Sequence, residues 1–350
     1  MPGRVVIFGW AESIHIQKWV QGLSERGWHI RLISLGGVPV AGIDTVNLPR
    51  QGKLSYLWRQ SEAVRKAREF KPDLIHVHYA GGYGLWGVKC DFAPLVVSVW
   101  GSDIVGLSRH PVRRMIVSRT LKKATRISAT SDYLRQTCVS LLPEASQKIS
   151  VIPFGVELPE QVAPMPDPPV RLCFIKLHRH VYGPDILLRA LAAVRREVPD
   201  IKLTMAGAGE MTPQLERMVQ KLDLEPNVKF VGLIPHERIY SLLQEHHIMV
   251  MPSREEAFGV AVLEAAACGR PTIASRVGGV PEVIRDNETG LLVPPGDEAA
   301  LAQALLRLVR DPETCRRMGE AGRALVQKEY LWNDSLNRMS QLYENVIHGR

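Results

Sequence analysis

The sequence predicts an α/β protein built from two parallel-sheet domains, and three observations point there. Short β-branched and aliphatic runs alternate with longer amphipathic segments, the pattern of strands buried on both faces beneath packed helices. The alternation is interrupted once, at 156–170, by "VELPEQVAPMPDPPV", which carries five prolines and no periodicity. A length of 350 residues at 45% hydrophobic content also fits two cores better than one.

In the first half, "RVVIFG", "IRLIS", "LIHVHY", "LVVSVWG", "RISATS" and "KISVIPFG" read as buried parallel strands, with "SIHIQKWVQGLSERG" and "LSYLWRQSEAVRKAREF" as helices between them. After the proline-rich linker a second series begins with the strand "VRLCFIKL" and the helix "PDILLRALAAVRREV". It continues through "IKLTMAGAG", "TPQLERMVQKLDL", "VKFVGLI", "HERIYSLLQEH" and "IMVMPS" to a glutamate-bearing helix, then "RPTIAS", "GLLVPP" and "DEAALAQALLRLVRD". Both series are Rossmann-like. Open parallel sheets bind ligands beyond the carboxyl ends of their strands, so two domains facing a central cleft are expected to hold the site there. The expected boundaries are 1–158, a linker at 159–169, 170–330, and a C-terminal helix in 331–350 that packs back on the first domain.

Composition narrows the function classes. Five cysteines, Cys90, Cys138, Cys173, Cys268 and Cys315, lack paired or ligand-type spacing, which argues against disulfides or a zinc site. No apolar run is long enough to span a bilayer, and "MPGRVVIFGW" reads as a strand rather than a signal peptide, so the expected location is cytoplasmic. The net charge of +8 calls for an anionic partner without choosing one. The charge concentrates in 108–126, "SRHPVRRMIVSRTLKKATR", which holds Arg109, Arg113, Arg114, Arg119, Lys122, Lys123 and Arg126 and no acid. Such a basic amphipathic stretch can lie on an anionic membrane surface, or be a solvated helix face. Nucleic acid is disfavoured, because the stretch lacks stacking aromatics and no nucleic-acid motif is present.

The densest signal is 252–284, "PSREEAFGVAVLEAAACGRPTIASRVGGVPEVI", where Glu256 and Glu264 flank a Phe-Gly at the start of an Ala-rich helix. A helix beginning near Phe258 offers free N–H groups, and Gly259 removes the side chain that would hold a diphosphate away. Together with "MAGAGE", "VKFVGLI" and "VIPFGVE", this stretch resembles the GT-B glycosyltransferases of the large retaining family GT4. The resemblance covers nearly all of the second half and, more loosely, "SIHIQKWVQGLSERGWHIRLIS" and "DLIHVHYAGG" in the first.

The resemblance implies transfer of a sugar from a nucleotide donor on the C-terminal domain to a polysaccharide or lipid-linked acceptor on the N-terminal domain, with no cofactor. It implies that Glu256 contacts the donor sugar and Glu264 the ribose hydroxyls, with Phe258, Gly259 and Val260 at the phosphates. Gly207 and Gly209 are further donor contacts, and backbone at Gly232, Leu233 and Ile234 is expected to read the base. Catalysis without a metal needs fixed cations at the departing diphosphate. Lys176 matches the family's basic residue. Its usual second cation is replaced here by Tyr182, which leaves Arg179, His178 or His180 to supply the missing charge. In the N-terminal domain the family's His-Gly-x-Asp is "WGSD": Trp100 replaces the histidine, while Gly101 and Asp103 remain, Asp103 being a catalytic candidate or a turn residue. His15, Ser13 and His78 are acceptor-side candidates; His15 could equally cap or pack, and the alternating His76 and His78 are structural or acceptor-lining, not metal ligands.

Three rival readings stand beside this one. A dinucleotide-dependent oxidoreductase would explain paired Rossmann-like domains, but "FGWAESIH" after the first strand lacks G-x-G-x-x-G. A catalytically silent sugar-nucleotide-binding scaffold would account for Trp100 and Tyr182. A GT-B sugar-nucleotide epimerase would keep the fold and the donor site.

Overall fold

The computed structural model describes residues 3–52, 55–92, 94–107 and 110–349, and it divides into two compact units, Met1–Pro153 with Asn333–Arg350, and Phe154–Trp332. Leu54, Ser108 and Arg109, which fall in segments called from sequence, lie outside the described residues.

In the first unit, strands β1 (Arg4–Phe8), β2 (His29–Leu35), β3 (Asp44–Leu48), β4 (Leu74–His78), β5 (Leu95–Val99), β6 (Arg126–Ala129) and β7 (Ile149–Val151) form an all-parallel sheet ordered β3-β2-β1-β4-β5-β6-β7. Every residue of β4 and β5 is buried, as expected of central strands covered on both faces. Helix α1 (Ile14–Glu25) follows β1 and buries Ile16, Trp19, Val20 and Leu23. The segment predicted as one helix at 54–70 is two, α2 (Ser55–Trp58) and α3 (Gln60–Glu69), with Arg59 between them. The elements that escaped prediction include the edge strand β3 and α4 (Gly82–Cys90). The basic stretch forms α5 (Pro111–Lys123), followed by α6 (Asp132–Leu141) after β6.

The second unit holds β8 (Arg171–Ile175), β9 (Lys202–Ala206), β10 (Val228–Gly232), β11 (Ile248–Met251), β12 (Thr272–Ser275) and β13 (Gly290–Val293), parallel throughout and ordered β10-β9-β8-β11-β12-β13. Helices α7 (Pro184–Arg195), α8 (Thr212–Lys221), α9 (Ile239–Gln244), α10 (Val260–Ala267), α11 (Val280–Val283), α12 (Glu298–Arg310) and α13 (Pro312–Glu329) complete it. Its core is continuous from Leu172 and Phe174 through Leu187, Leu191 and Met205 to Leu305 and Met318.

The proline-rich segment belongs to this unit. Arg270, 3% exposed, donates to the carbonyls of Ala163 and Pro164 in that segment, of Gln244 at the end of α9 and His246 just beyond it, and of Cys268 after α10, at 2.8 to 3.1 Å.

The last helix, α14 (Trp332–Ile347), packs on the first unit. Gly22 of α1 lies so close to Leu336 that a Cβ would stand 2.5 Å from its methyl carbon. Trp28 donates to Ser340 Oγ at 2.8 Å, and the buried Tyr343 hydroxyl meets His76 Nδ1.

Candidate active site

The donor-side residues named from sequence come together in the second unit, at the carboxyl ends of β8 to β11. Lys176 follows β8, Gly207 follows β9, Gly232 ends β10, and Glu256 and Gly259 lie in the loop between β11 and α10. The loops are drawn tight by glycine. Gly207 has φ +141°, and a Cβ there would stand 2.0 Å from the Lys176 carbonyl oxygen, while one on Gly209 would stand 2.5 Å from that of His178. Only a residue without a side chain lets the β9 loop lie on the β8 loop. Gly207 N–H donates to Gly232 C=O at 2.7 Å, tying a third loop to these two.

Lys176 Nζ stands 2.5 Å from Glu256 Oε2, with both side chains less than a fifth exposed. Burial opposes the ammonium charge, but the Glu256 carboxylate, with Tyr182 and Glu264 beyond it, outweighs burial and raises the Lys176 pKa above its ordinary value. Nζ is also 5.1 Å from the centre of the Tyr182 ring, a cation–π contact at the position where the family's second cation stands.

Helix α10 starts at Val260 with Gly259 as its N-cap at φ +107°, two residues later than expected, so Glu256 lies in the preceding loop and only Glu264 lies in the helix. Glu264 is buried. Phe258 buries its side chain, 3% exposed, against Tyr330, ring centres 6.1 Å apart, so that only its backbone is left to meet a donor. Leu233 is 70% exposed just past the end of β10.

Three site residues were missed. His236, four positions past Gly232, places Nε2 3.1 Å from Glu264 Oε1. Arg254 forms a two-pronged pair with Asp185 at 2.9 and 2.8 Å, bracing the loop before Glu256 against the first turn of α7. Burial pushes the Asp185 carboxyl up, yet Arg254 and Arg189 bring it down to about 2. A histidine just past a strand's carboxyl end was a readable signal; the Arg254–Asp185 pair spans 69 positions and was not.

His178 does not supply the missing charge. It is fully covered between Phe174 and Phe230, holds Thr212 Oγ1 at 2.9 Å, and burial lowers its pKa. Arg179 and His180 are exposed on the same loop.

In the first unit the acceptor-side candidates gather at the carboxyl ends of β4 and β5. The Trp100 ring lies 4.7 Å from His78, 5.1 Å from Tyr79 and 6.0 Å from His15, centre to centre. Ser13 is the N-cap of α1. His78 is a correction, because it is completely covered and its ring nitrogens have no hydrogen-bond partner, so it packs beneath Trp100 rather than lining a surface. His76 Nε2 bonds Ser98 Oγ at 2.7 Å, and burial holds its pKa down near 3.

Asp103 also changes role. It is 4% exposed, and its carboxylate accepts the backbone N–H groups of Ala80, Trp100 and Gly101 at 2.9, 3.1 and 3.0 Å. Burial raises its pKa against the pull of those bonds. The carboxylate shapes the turn at Gly101, where φ is +125°, and is a positioning group. Among the described residues no cluster of His, Cys, Asp or Glu has the arrangement to hold a metal ion, and no helix is long and apolar enough to cross a membrane.

Comparison with known proteins adds to this geometry. The family described as glycosyl transferases group 1 matches residues 159–325, and that described as glycosyl transferase 4-like matches residues 4–131. A Mycolicibacterium smegmatis protein named GDP-mannose-dependent alpha-(1-6)-phosphatidylinositol monomannoside mannosyltransferase is 33% identical over 281 residues, 73% of this chain and 71% of that one. Sucrose-phosphate synthase from Thermosynechococcus elongatus superposes with a TM-score of 0.87 at 24% identity, over 99% of this chain and 100% of that one. An Anabaena protein solved with UDP and glucose superposes at 0.81 and 17% identity, over 98% and 100%. Two Rossmann-like units on the GT-B plan, matched along both halves of the sequence, establish that this chain is a glycosyltransferase and belongs to the group 1 family.

Proposed function

We propose that the chain is a retaining, metal-independent glycosyltransferase that takes a sugar from a nucleoside-diphosphate donor and delivers it to a lipid-linked or polysaccharide acceptor. The observation that carries this is the grouping of Lys176, Glu256, Gly259 and Glu264 at the carboxyl ends of one parallel sheet. The start of α10 presents free N–H groups for a diphosphate, with Lys176 as the fixed cation beside it. Glu264 lies about four residues into the helix, roughly 6 Å along its axis, a reach suited to a ribose beyond the phosphates.

The proposed chemistry runs on one face of the sugar. The bond from the anomeric carbon to the β-phosphate oxygen breaks as the acceptor oxygen attacks from the same side, and the acceptor proton passes to the departing phosphate oxygen. No general base is required, which accommodates Trp100. Lys176 holds the diphosphate as negative charge builds on it, and Glu256 supports the sugar as positive charge develops at its anomeric carbon. Membrane attachment through the basic face of α5 is part of the reading, and the mycobacterial relative, by its name, uses a phosphatidylinositol-based acceptor.

Purified protein with a panel of nucleotide sugars in excess EDTA tests this. Slow donor cleavage that releases a sugar of unchanged anomeric configuration, seen by proton NMR, is the expected result. Inverted product, or activity abolished by EDTA and restored by manganese, overturns it. Donor binding without any cleavage marks a silent binding subunit.

A further inference from the structure

The first unit contains a pocket of about 690 Å³ beside the carboxyl ends of β4 and β5. Its inner wall is the loop after β5, Ser102 and Asp103, with Tyr79 just past β4. Its outer wall is made by α2 and α5, through Leu57, Val112 and Ile116. It therefore runs from the carboxyl ends of the strands, where an acceptor hydroxyl would be presented, to the surface carrying the basic helix.

The rim is unusual for a protein surface. Eight large hydrophobic side chains are exposed among the described residues, and five of them lie at this pocket or beside it. Trp10 (41% exposed), Leu57 (54%) and Val112 (64%) line it, while Trp58 (76%) and Met115 (65%) are their neighbours on α2 and α5. Contiguous exposed apolar surface of this kind marks an interaction site. The charge around it selects the partner. Arg50 and Arg113 line the pocket itself, and an adjoining groove of about 630 Å³, which shares Leu57, Leu85 and Ile116 with it, is lined by Arg68, Lys89, Arg119 and Lys123 against one acid, Asp91. Lys123 pairs with that acid at 3.2 Å, leaving the groove strongly positive. A neutral glycan could bond Ser102 and Arg113, but it would leave the positive charge uncompensated and the exposed Leu57, Val112 and Met115 in water. An apolar chain attached to a phosphate finds both halves of its chemistry here.

We propose that this pocket receives the phosphate-bearing lipid that is the acceptor, its apolar chain passing between Leu57 and Val112 into the bilayer and its phosphate held by Arg50 and Arg113, with Leu57, Trp58, Val112 and Met115 entering the membrane interface around it. The inference rests on the transfer reading above, and it selects the lipid-linked acceptor over the polysaccharide.

The test uses the whole chain and needs no turnover, so it fails separately from the transfer reading. Binding of monomeric dioctanoyl phosphatidic acid is measured by calorimetry, and binding to vesicles with or without 30% phosphatidylglycerol by flotation. Ile116→Trp, which fills the pocket from its half-buried wall, is expected to weaken the short-chain lipid at least tenfold while nucleoside-diphosphate affinity stays constant. Replacing Leu57, Trp58, Val112 and Met115 together by Ser is expected to cut binding to anionic vesicles at least tenfold with the melting temperature unchanged. Wild-type protein should show a blue shift of tryptophan emission on those vesicles that Trp58→Phe removes. Equal lipid affinity in Ile116→Trp, unchanged flotation of the Ser variant, or no shift from Trp58 overturns the proposal. Should Ile116→Trp fail to fold, the last two measurements decide. Sugar transfer to a water-soluble glycan without lipid binding sinks this inference and leaves the transfer reading intact; lipid binding without transfer sinks the transfer reading and the lipid's role as acceptor, and leaves only the lipid site.

Discussion

Glu256→Gln is expected to bind a nucleoside diphosphate more tightly than the wild-type protein while transferring sugar more slowly. Glu256 sits 2.5 Å from the ammonium proposed to hold the diphosphate, so a phosphate bound there would compete with that carboxylate. It also meets that carboxylate's like charge at short range. Two like charges about 6 Å apart at an effective dielectric constant near 20 repel by roughly 3 kcal/mol. Partial exposure of both side chains reduces this, to about 1–2 kcal/mol, or roughly fivefold to thirtyfold in the dissociation constant. Glutamine keeps the volume and a hydrogen-bond acceptor for Lys176 and removes the charge. The same change takes away the group that supports developing positive charge on the sugar, so kcat should fall between about tenfold and a hundredfold. Titration calorimetry with UDP and GDP, beside kcat for the full donor, reads both effects on one variant. Unchanged or weaker diphosphate binding in Glu256→Gln would refute the reasoning, because then either Lys176 is not the phosphate cation or Glu256 does not compete for it.

Glu264→Gln should raise the dissociation constant of the preferred nucleoside diphosphate tenfold to a hundredfold or somewhat more, from the 1.5 to 3 kcal/mol of a charged hydrogen bond, and a 2′,3′-dideoxy nucleotide should be indifferent to the change. Gly207→Ala should destabilise the second unit by about 3 kcal/mol or more, lowering its melting temperature by roughly 6–12 °C, because a Cβ would meet the Lys176 carbonyl oxygen at 2.0 Å. Gly232→Ala is the control: its φ is +69° but nothing lies within 4 Å of a Cβ, so the loss should be about 1–2 kcal/mol. Acid should weaken the first unit. His76 has a folded pKa near 3 and His78 one well below its ordinary value, both from burial, so each contributes stability above pH 6.5 that is lost as pH falls below it. Between pH 7.5 and 5.5 the pair should lose on the order of 2–3 kcal/mol, seen as a falling melting temperature, and His78→Phe should remove roughly half of that dependence.

How much of this was legible in the sequence depended on the range over which the information is stored. The β-branched strands declared themselves, and Glu256, Gly259 and Glu264 could be read together because a glycine-led helix start and its flanking charges occupy one short stretch; Lys176, 80 positions earlier, was picked out by the family resemblance alone. Strand β3, "DTVNL", was hidden because it is a short edge strand in which Asp44 and Asn47 are poor strand formers and only Leu48 is buried. Helix α4, "GYGLWGVKC", was hidden because three glycines read as loop. Their reason is packing: a Cβ on Gly84 would stand 2.7 Å from Thr120, and one on Gly87 would stand 2.5 Å from Val77. His178 was misread as a loop cation because its covering comes from the β9 and β10 loops, which sequence cannot place over it. Asp103 and His78 each kept two readings open for the same reason, and their burial favours the structural one. Their residue types suited an acceptor site, and only the fold shows the carboxylate turned onto three backbone N–H groups and the imidazole buried beneath Trp100.

The five carbonyls gathered on Arg270 bear on how the protein can be taken apart. Two of them come from 163 and 164, in the segment whose composition suggested a free tether. A donor-domain fragment begun at the first strand, near residue 170, would leave a buried guanidinium with two of its partners missing, and should be poorly soluble or bind nucleotides weakly. A fragment spanning 154–332 keeps all five. The prolines of this segment therefore stiffen a strap already fastened to one unit, and insertions just before residue 163 should be far better tolerated than any between 163 and 170.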